Sequence, residues 1–276
     1  MSIIKNILYG FVSGLTEFIP VSSRGHQGIL RCLFGIETRN SFQELLVHIG
    51  VLLSVFIGCR EVIARLRREQ KILSGSSRKK YKSVDNRNVF DLRLLKTATV
   101  PMLLVLLLTI VTRKMDNNLL WIMGFLLING IVLLLADYTQ HGNRDSRTMT
   151  GLDGIVIGIL GGLSAFPGIS RTGFISAYTA ARGADGKCIL NWSVLLTIPA
   201  ILFYICLDLA GIFSNGLGVL NFSVFVGYFM SGVAGFLGGY LGISILGVIL
   251  NHYSFSRFAY YSMGASLFSF ILYLIS

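Results

Sequence analysis

The stretch GLTEFIPVSSRGH, residues 14–26, places a carboxylate (Glu17), two hydroxyls (Ser22 and Ser23), a guanidinium (Arg24) and an imidazole (His26) around one proline. A second stretch, GLSAFPGISRTGF at residues 162–174, repeats Gly-Leu, a hydroxyl, Phe, Pro, Ser-Arg and Gly in the same order, at an offset of 162 − 14 = 148 residues. These types suit work on a phosphate. Arg24 and Arg171 supply fixed cations shaped for bidentate contact with phosphoryl oxygens. A helix starting near Ser23 or Ser170 leaves its first amides free for an anion. Ser22, Gly168 and Thr172 flank these groups and complete the expected substrate-binding set with Arg24 and Ser170.

Ser23 precedes His26 by three positions, so the two share a helical face if a helix begins at that serine. Serine beside histidine is the layout of an activated nucleophile; histidine alone serves equally as nucleophile or as acid to a leaving phosphate. The spacing does not choose between them. Glu17 would repel a bare phosphate unless protonated or holding a divalent cation, and Mg²⁺ sites commonly join one or two carboxylates to substrate phosphates. Plainer readings exist: Ser23 and Ser170 as helix N-caps, Arg24 and Arg171 as structural pairs. Charge at membrane depth nevertheless points to function, most strongly for Arg171. Glu44 and His48, spaced i, i+4, either reach the same pocket as a supporting layer with Ser13 or satisfy each other. Asp208 reads as interfacial.

The elements that must position these groups lie in lipid. The chain has 276 residues, 53% hydrophobic and only 13% charged, with a mean hydropathy of +0.70, the balance of an integral membrane protein. Its formal charge of +11 is concentrated in one segment between apolar runs, which suits anionic headgroups and topology rather than nucleic acid. Cys32, Cys59, Cys188 and Cys206 show no ligand spacing. The first apolar run leads into Glu17 and Pro20 rather than a small-residue cleavage site, so the first helix is expected to stay.

Apolar runs predict six crossings, near 45–63, 96–112, 119–136, 189–212, 222–248 and 257–275. Two further apolar regions, 2–35 and 152–183, are broken at Pro20 and at Pro167-Gly168. Each is expected to enter the membrane as a hairpin and turn back. The fold class is therefore all-α, a single polytopic domain over 1–276, with repeat halves of about 1–136 and 137–276. Residues 60–96 hold 12 of the 24 basic residues; the loop within them, about 64–95, is expected in the cytoplasm. Both termini then lie outside, and the two hairpins enter from opposite faces as an inverted repeat whose tips meet near the midplane. The glycines between Gly227 and Gly247 are expected to permit close helix packing.

The pair TEFIPVSSRGH and PGISRTG, with the early FQELLVHIG segment and the overall length, resembles the bacterial undecaprenyl-diphosphate phosphatase family, the bacitracin-resistance proteins, over essentially the whole chain. The resemblance implies a plasma-membrane enzyme that removes the terminal phosphate of the C55 isoprenoid diphosphate, with its site facing outward. It implies Glu17, Ser23, His26 and Arg171 as the catalytic set, a divalent cation (Mg²⁺ or Ca²⁺) at Glu17, and a polyprenyl diphosphate among membrane lipids as partner; a homodimer is left open. Three positions depart from the family's pattern. Ser13 stands where an acidic residue is usual, Arg24 where a small polar residue is usual, and Ile175 where threonine is usual. One carboxylate lost and one cation gained shift the pocket by about two charges, favouring anions over a metal. The rival expectation is a transporter or flippase of a phosphorylated lipid on the same scaffold; a scaffold protein without turnover leaves the paired motifs unexplained.

Overall fold

The computed structural model describes residues 2–73, 90–139, 142, 148–218, 220–252 and 254–276. Much of the basic loop, with Arg78, Lys79, Lys80, Lys82 and Arg87, falls outside the described residues, as do Arg144 and Arg147.

Thirteen α-helices follow in order among the described residues: α1 (Ile3–Phe18), α2 (Ser23–Phe34), α3 (Ser41–Gly58), α4 (Arg60–Leu73), α5 (Phe90–Leu106), α6 (Thr109–Thr112), α7 (Leu119–Asp137), α8 (Gly151–Gly162), α9 (Arg171–Ala181), α10 (Gly186–Leu195), α11 (Thr197–Asn215), α12 (Phe222–His252) and α13 (Ser256–Ile275). Six stretches are long and apolar enough to cross a membrane: Ser41–Gly58, Leu92–Met115, Leu119–Asp137, Gly186–Asn215, Phe222–Leu250 and Ser256–Ile275. Each overlaps one crossing expected from the sequence. The first begins and ends earlier than expected, because Asn40 caps α3 by accepting from the Phe42 and Gln43 amides and the chain breaks at Cys59 before α4.

The two broken regions each form a helix, a turn at proline and a second helix. The far end of α2 returns to the start of α1, where Lys5 Nζ donates to the Phe34 carbonyl at 3.3 Å. The far end of α9 returns to the start of α8, where Arg182 Nε donates to Asp153 Oδ1 at 2.8 Å and the Tyr178 hydroxyl donates to the same oxygen at 2.8 Å. Asp153 also closes a capping box with Thr150.

α12 is the long strut of the bundle. Its glycines face the backbones of α1 and α3: a Cβ at Gly238 would strike the Phe11 carbonyl, and one at Gly232 would come within 2.8 Å of the Leu46 carbonyl. From the other side, Gly10 and Gly14 of α1 press on the Ser231 and Gly235 carbonyls. This is close helix packing through small residues, as the glycine-rich run leads one to expect. Such contact fixes the path of α1, which carries Glu17.

Candidate active site

The two turns meet. α1 ends at Phe18, the chain bends at Pro20, and Ser22, at φ 70°, caps α2 by accepting from the Gly25 amide at 3.3 Å. α8 ends at Gly162, Pro167-Gly168 turn the chain, and Ser170 caps α9 by accepting from the Gly173 amide at 3.1 Å. The cap of α2 is thus Ser22, not the expected Ser23. In cap register Ser22 corresponds to Ser170 and Ser23 to Arg171, the same 148-residue offset that relates Gly14 to Gly162 and Gly25 to Gly173; only the Ser-Arg pair, at 23–24 and 170–171, is one residue out of step. A left-handed φ is costly for serine. Here it is held by two bonds, since Ser22 Oγ also accepts the Gly168 amide at 3.1 Å. Gly168 itself, at φ 117°, lies so near α7 that a Cβ would sit 2.7 Å from Phe125 Cβ and 2.8 Å from the Leu126 amide. Thr172 Oγ1 adds a second tie across the turns, donating to the Glu17 carbonyl at 3.0 Å.

Between the turns lies a small cavity lined by Thr16, Glu17, Ser23, Arg24, Ser164, Ile169, Ser170, Arg171 and Tyr204. Two helix starts border one cavity, and both favour an anion. Arg171 is buried. Its Nη2 sits 2.8 Å from Glu17 Oε1 and donates to Thr197 Oγ1 at 2.9 Å, while its Nε has no hydrogen-bond partner among the described residues. Glu17 and Thr197 therefore aim the guanidinium. Arg24 spans the mouth: Nη2 pairs with Asp116 Oδ1 at 2.5 Å, and Nη1 donates to the carbonyls of Ala165 and Ser164.

Not every residue singled out from the sequence faces this cavity. Ser23 does, but its hydroxyl donates to the Ser13 carbonyl at 2.9 Å rather than to a histidine. His26 turns away toward α13, with Nδ1 2.8 Å from the Ser22 carbonyl and Nε2 2.8 Å from the Tyr261 hydroxyl. A carbonyl only accepts, so in the neutral ring Nδ1 carries the proton and Nε2 accepts from Tyr261. The i, i+3 spacing alone does not separate the two side chains; Ser23 is held back on the Ser13 carbonyl while the ring stacks on Tyr261 at 5.6 Å. Ser13 donates to the Tyr9 carbonyl at 2.6 Å, a bond inside α1.

Glu44 and His48 do not satisfy each other. Glu44 accepts from the Tyr9 hydroxyl and pairs with Arg31 and Arg39 at 3.6 and 3.5 Å. His48 Nδ1 lies 2.6 Å from Asp208 Oδ2, and its ring stacks on Tyr204 of the cavity wall. Asp208, expected at the interface, is instead fully buried, with Arg39 at 3.0 Å and Arg113 at 3.1 Å. Arg39 also lies 3.7 Å from Asp116, so the network runs unbroken to Arg24 and the cavity. Burial opposes the charge on Arg39, but Glu44, Asp208 and Asp116 together outweigh it and hold the guanidinium above its ordinary pKa. The sequence signals for this layer were the i, i+4 spacing of Glu44 and His48 and the single charge of Asp208 inside an apolar run.

The residues present do not fit a resident divalent cation. The cavity has one carboxylate, already paired to Arg171, against two guanidiniums. Among the described residues no group of three or more His, Cys, Asp or Glu side chains is placed to hold a metal ion. Two guanidiniums lining the cavity beside its one carboxylate favour an anion there over a metal.

Comparison with known proteins gives the same direction as the geometry. Residues 6–268 match the family described as bacitracin resistance protein BacA. An undecaprenyl-diphosphatase of Alkaliphilus metalliredigens is 32% identical over 273 residues, covering 95% of each chain. One from Carboxydothermus hydrogenoformans is 30% identical over 95% of this chain and 94% of its own. One from Thermosipho melanesiensis is 31% identical over 96% of this chain and 98% of its own.

Proposed function

The chain belongs to the bacitracin resistance protein family, and on that premise we propose that it is a membrane phosphatase that removes the terminal phosphate of undecaprenyl diphosphate and so regenerates the monophosphate carrier used in cell-wall synthesis. It is a multi-span helical protein of the bacterial inner membrane. The observation that carries the reading is that Ser23, Glu17, Arg24 and Arg171 line one cavity between two facing helix starts. A carrier of phosphorylated lipid would use the arginines, with Glu17 to aim Arg171, but leave Ser23 without a task in the cavity.

In this reading the diphosphate enters the cavity, and the amides at the starts of α2 and α9, with Arg171 and Arg24, hold its phosphoryl oxygens. Ser23 Oγ attacks the terminal phosphorus as its proton passes to Glu17, the carboxylate beside it in the cavity. The bond from that phosphorus to the bridging oxygen breaks, and the bridging oxygen leaves with the lipid monophosphate, its charge met by the guanidiniums. Water then cleaves the phosphoserine, giving inorganic phosphate and returning the proton to Ser23. His26 works from behind, holding the Ser22 carbonyl rather than touching substrate. No step passes through a metal. Positioning and charge stabilisation supply most of the catalysis, as phosphoryl transfer requires.

The two broken regions are read as re-entrant hairpins of an inverted repeat. In support, each turn carries a serine that caps the following helix through the amide three residues on. The cavity is assigned to the outer side. In support, α4 and the first part of α5 carry Arg60, Arg65, Arg67, Arg68, Lys71, Arg93 and Lys96, which favour the cytoplasm.

The test is phosphate release from undecaprenyl diphosphate by the detergent-purified chain beside Arg171→Ala. Release by the parent and loss of at least about 100-fold in the variant is the expected result. Full hydrolysis by Arg171→Ala would overturn the assignment.

A further inference from the structure

α7 is apolar from Leu119 to Ala136 except for one carboxamide. Asn129 is fully buried, where an unsatisfied amide would be costly. Its partners are instead drawn from three different elements. Nδ2 donates to the Pro20 carbonyl at 3.0 Å, in the turn before α2, and to Ser262 Oγ of α13 at 3.1 Å. Oδ1 accepts the Ser170 amide at 3.0 Å, in the turn before α9. The Pro20 carbonyl can only accept and the Ser170 amide can only donate, so the two turns together fix which end of the carboxamide faces which.

The same helix makes the closest approach to the second turn, since Gly168 abuts Phe125 and Leu126, and a Cβ at Gly25 would meet Gly168 Cα at 3.2 Å and Leu126 at 3.4 Å. Direct ties between the turns run through Ser22 to Gly168 and Thr172 to Glu17. The first bond joins turn to turn only and the second reaches the end of α1, so neither bonds both turns from a third element. Asn129 refers both to a membrane-crossing helix.

We propose that Asn129 is a positioning residue: it sets the separation and pitch of the two helix starts, and thereby the distance between Ser23 and the Arg171 guanidinium. This rests on the phosphatase reading only for its kinetic consequence. A misplacement on the order of 1 Å at such a site costs up to about 100-fold in rate. Because the ligand-holding groups themselves are untouched, the loss falls on kcat more than on KM.

The experiment uses the full chain in detergent, with Asn129→Leu, Asn129→Asp and Ser262→Ala. Steady-state phosphate release from undecaprenyl diphosphate is measured beside deuterium uptake of peptides covering residues 19–25 and 167–173. Asn129→Leu is expected to lower kcat on the order of 10- to 100-fold with KM changed less than about threefold, and to speed exchange in both peptides. Asn129→Asp keeps the acceptor for Ser170 and is expected to speed exchange in 19–25 more than in 167–173. Ser262→Ala, which removes the bond to α13 alone, is expected to leave both readouts near the parent. Parent-like kcat and parent-like exchange in Asn129→Leu would overturn the inference, as would an equal effect of Ser262→Ala. Should Asn129→Leu not fold, an Asn129→Asp variant with parent-like kcat and exchange overturns it as well. A parent chain that releases no phosphate sinks the phosphatase reading instead, and the exchange data then decide on Asn129 by themselves.

Discussion

The hydroxyl of Ser22 accepts the amide of Gly168 at 3.1 Å, joining two turns 146 residues apart through a residue that is itself in the left-handed region. The same oxygen caps α2. One side chain thus starts a helix and sets where the opposing helix begins.

Replacing Ser22 separates these effects. Ser22→Ala keeps the strained backbone but loses both bonds, and should destabilise the chain by about 1–2 kcal/mol and slow phosphate release about tenfold. Ser22→Gly relieves the backbone, so it should recover stability without recovering rate. Thermal unfolding in detergent beside turnover checks this; a glycine variant as active as the parent would mean the tie to Gly168 does no positioning.

Removal of metal should matter little. Hydrolysis is expected to persist within about twofold in excess chelator, and elemental analysis of the purified chain should find less than one equivalent of Mg²⁺ or Ca²⁺ per chain. The double variant Ser13→Glu, Arg24→Ser returns a carboxylate and removes a cation, and should bind Mn²⁺ in a titration where the parent does not. Loss of activity on chelation, restored by Mg²⁺, would refute the fixed-cation account.

Arg24 and Asp116 form a nearly buried pair at 2.5 Å, with side chains 11% and 7% exposed. Breaking it from either side leaves a charge in a poor medium, so each single change, Arg24→Ser or Asp116→Asn, should cost about 2–4 kcal/mol. A double-mutant cycle is expected to give a coupling of about 1–3 kcal/mol. Additive losses would show that the backbone carbonyls and Arg39, not this pair, hold the two groups.

Asp208→Asn removes the charge that Arg39, Arg113 and His48 share. Three groups then face a neutral amide in a buried site, and a loss of about 3–5 kcal/mol is expected. Turnover per folded molecule should fall less, because Asp208 does not line the cavity. If the activity of the folded fraction collapses, the network acts on the chemistry and not only on stability.

Asp208 also shows where the sequence stopped being legible. The six crossings were readable because lipid demands long apolar runs, and the two broken segments because Pro20 and Pro167-Gly168 interrupt such runs. The candidate site was readable as two matching motifs. Side-chain direction was not. Ser23 and His26 stand three apart, and only the cap falling at Ser22 and the presence of Tyr261 on a helix more than 200 residues away send the imidazole outward. The ionic layer of Arg31, Arg39, Glu44, Asp116 and Asp208 joins loops and helices from four parts of the chain, and no local pattern marks which charges will meet. Asn129 gave a signal, a lone carboxamide in an apolar helix, but its partners are backbone groups that sequence cannot point to.

The glycine contacts between α1 and α12 have a bearing on how a lipid this long is handled. With Gly10 and Gly14 flush against the Ser231 and Gly235 carbonyls, and Gly232 against Leu46 of α3, these three helices have no slack in which to roll or slide singly. They move as one slab or not at all. Glu17 therefore rides on a closely packed part of the molecule, and the flexible partner in the encounter is the isoprenoid. A tail of many rotatable bonds bends to bring its headgroup to a fixed cradle, which leaves discrimination among tails of different length to the surrounding bilayer.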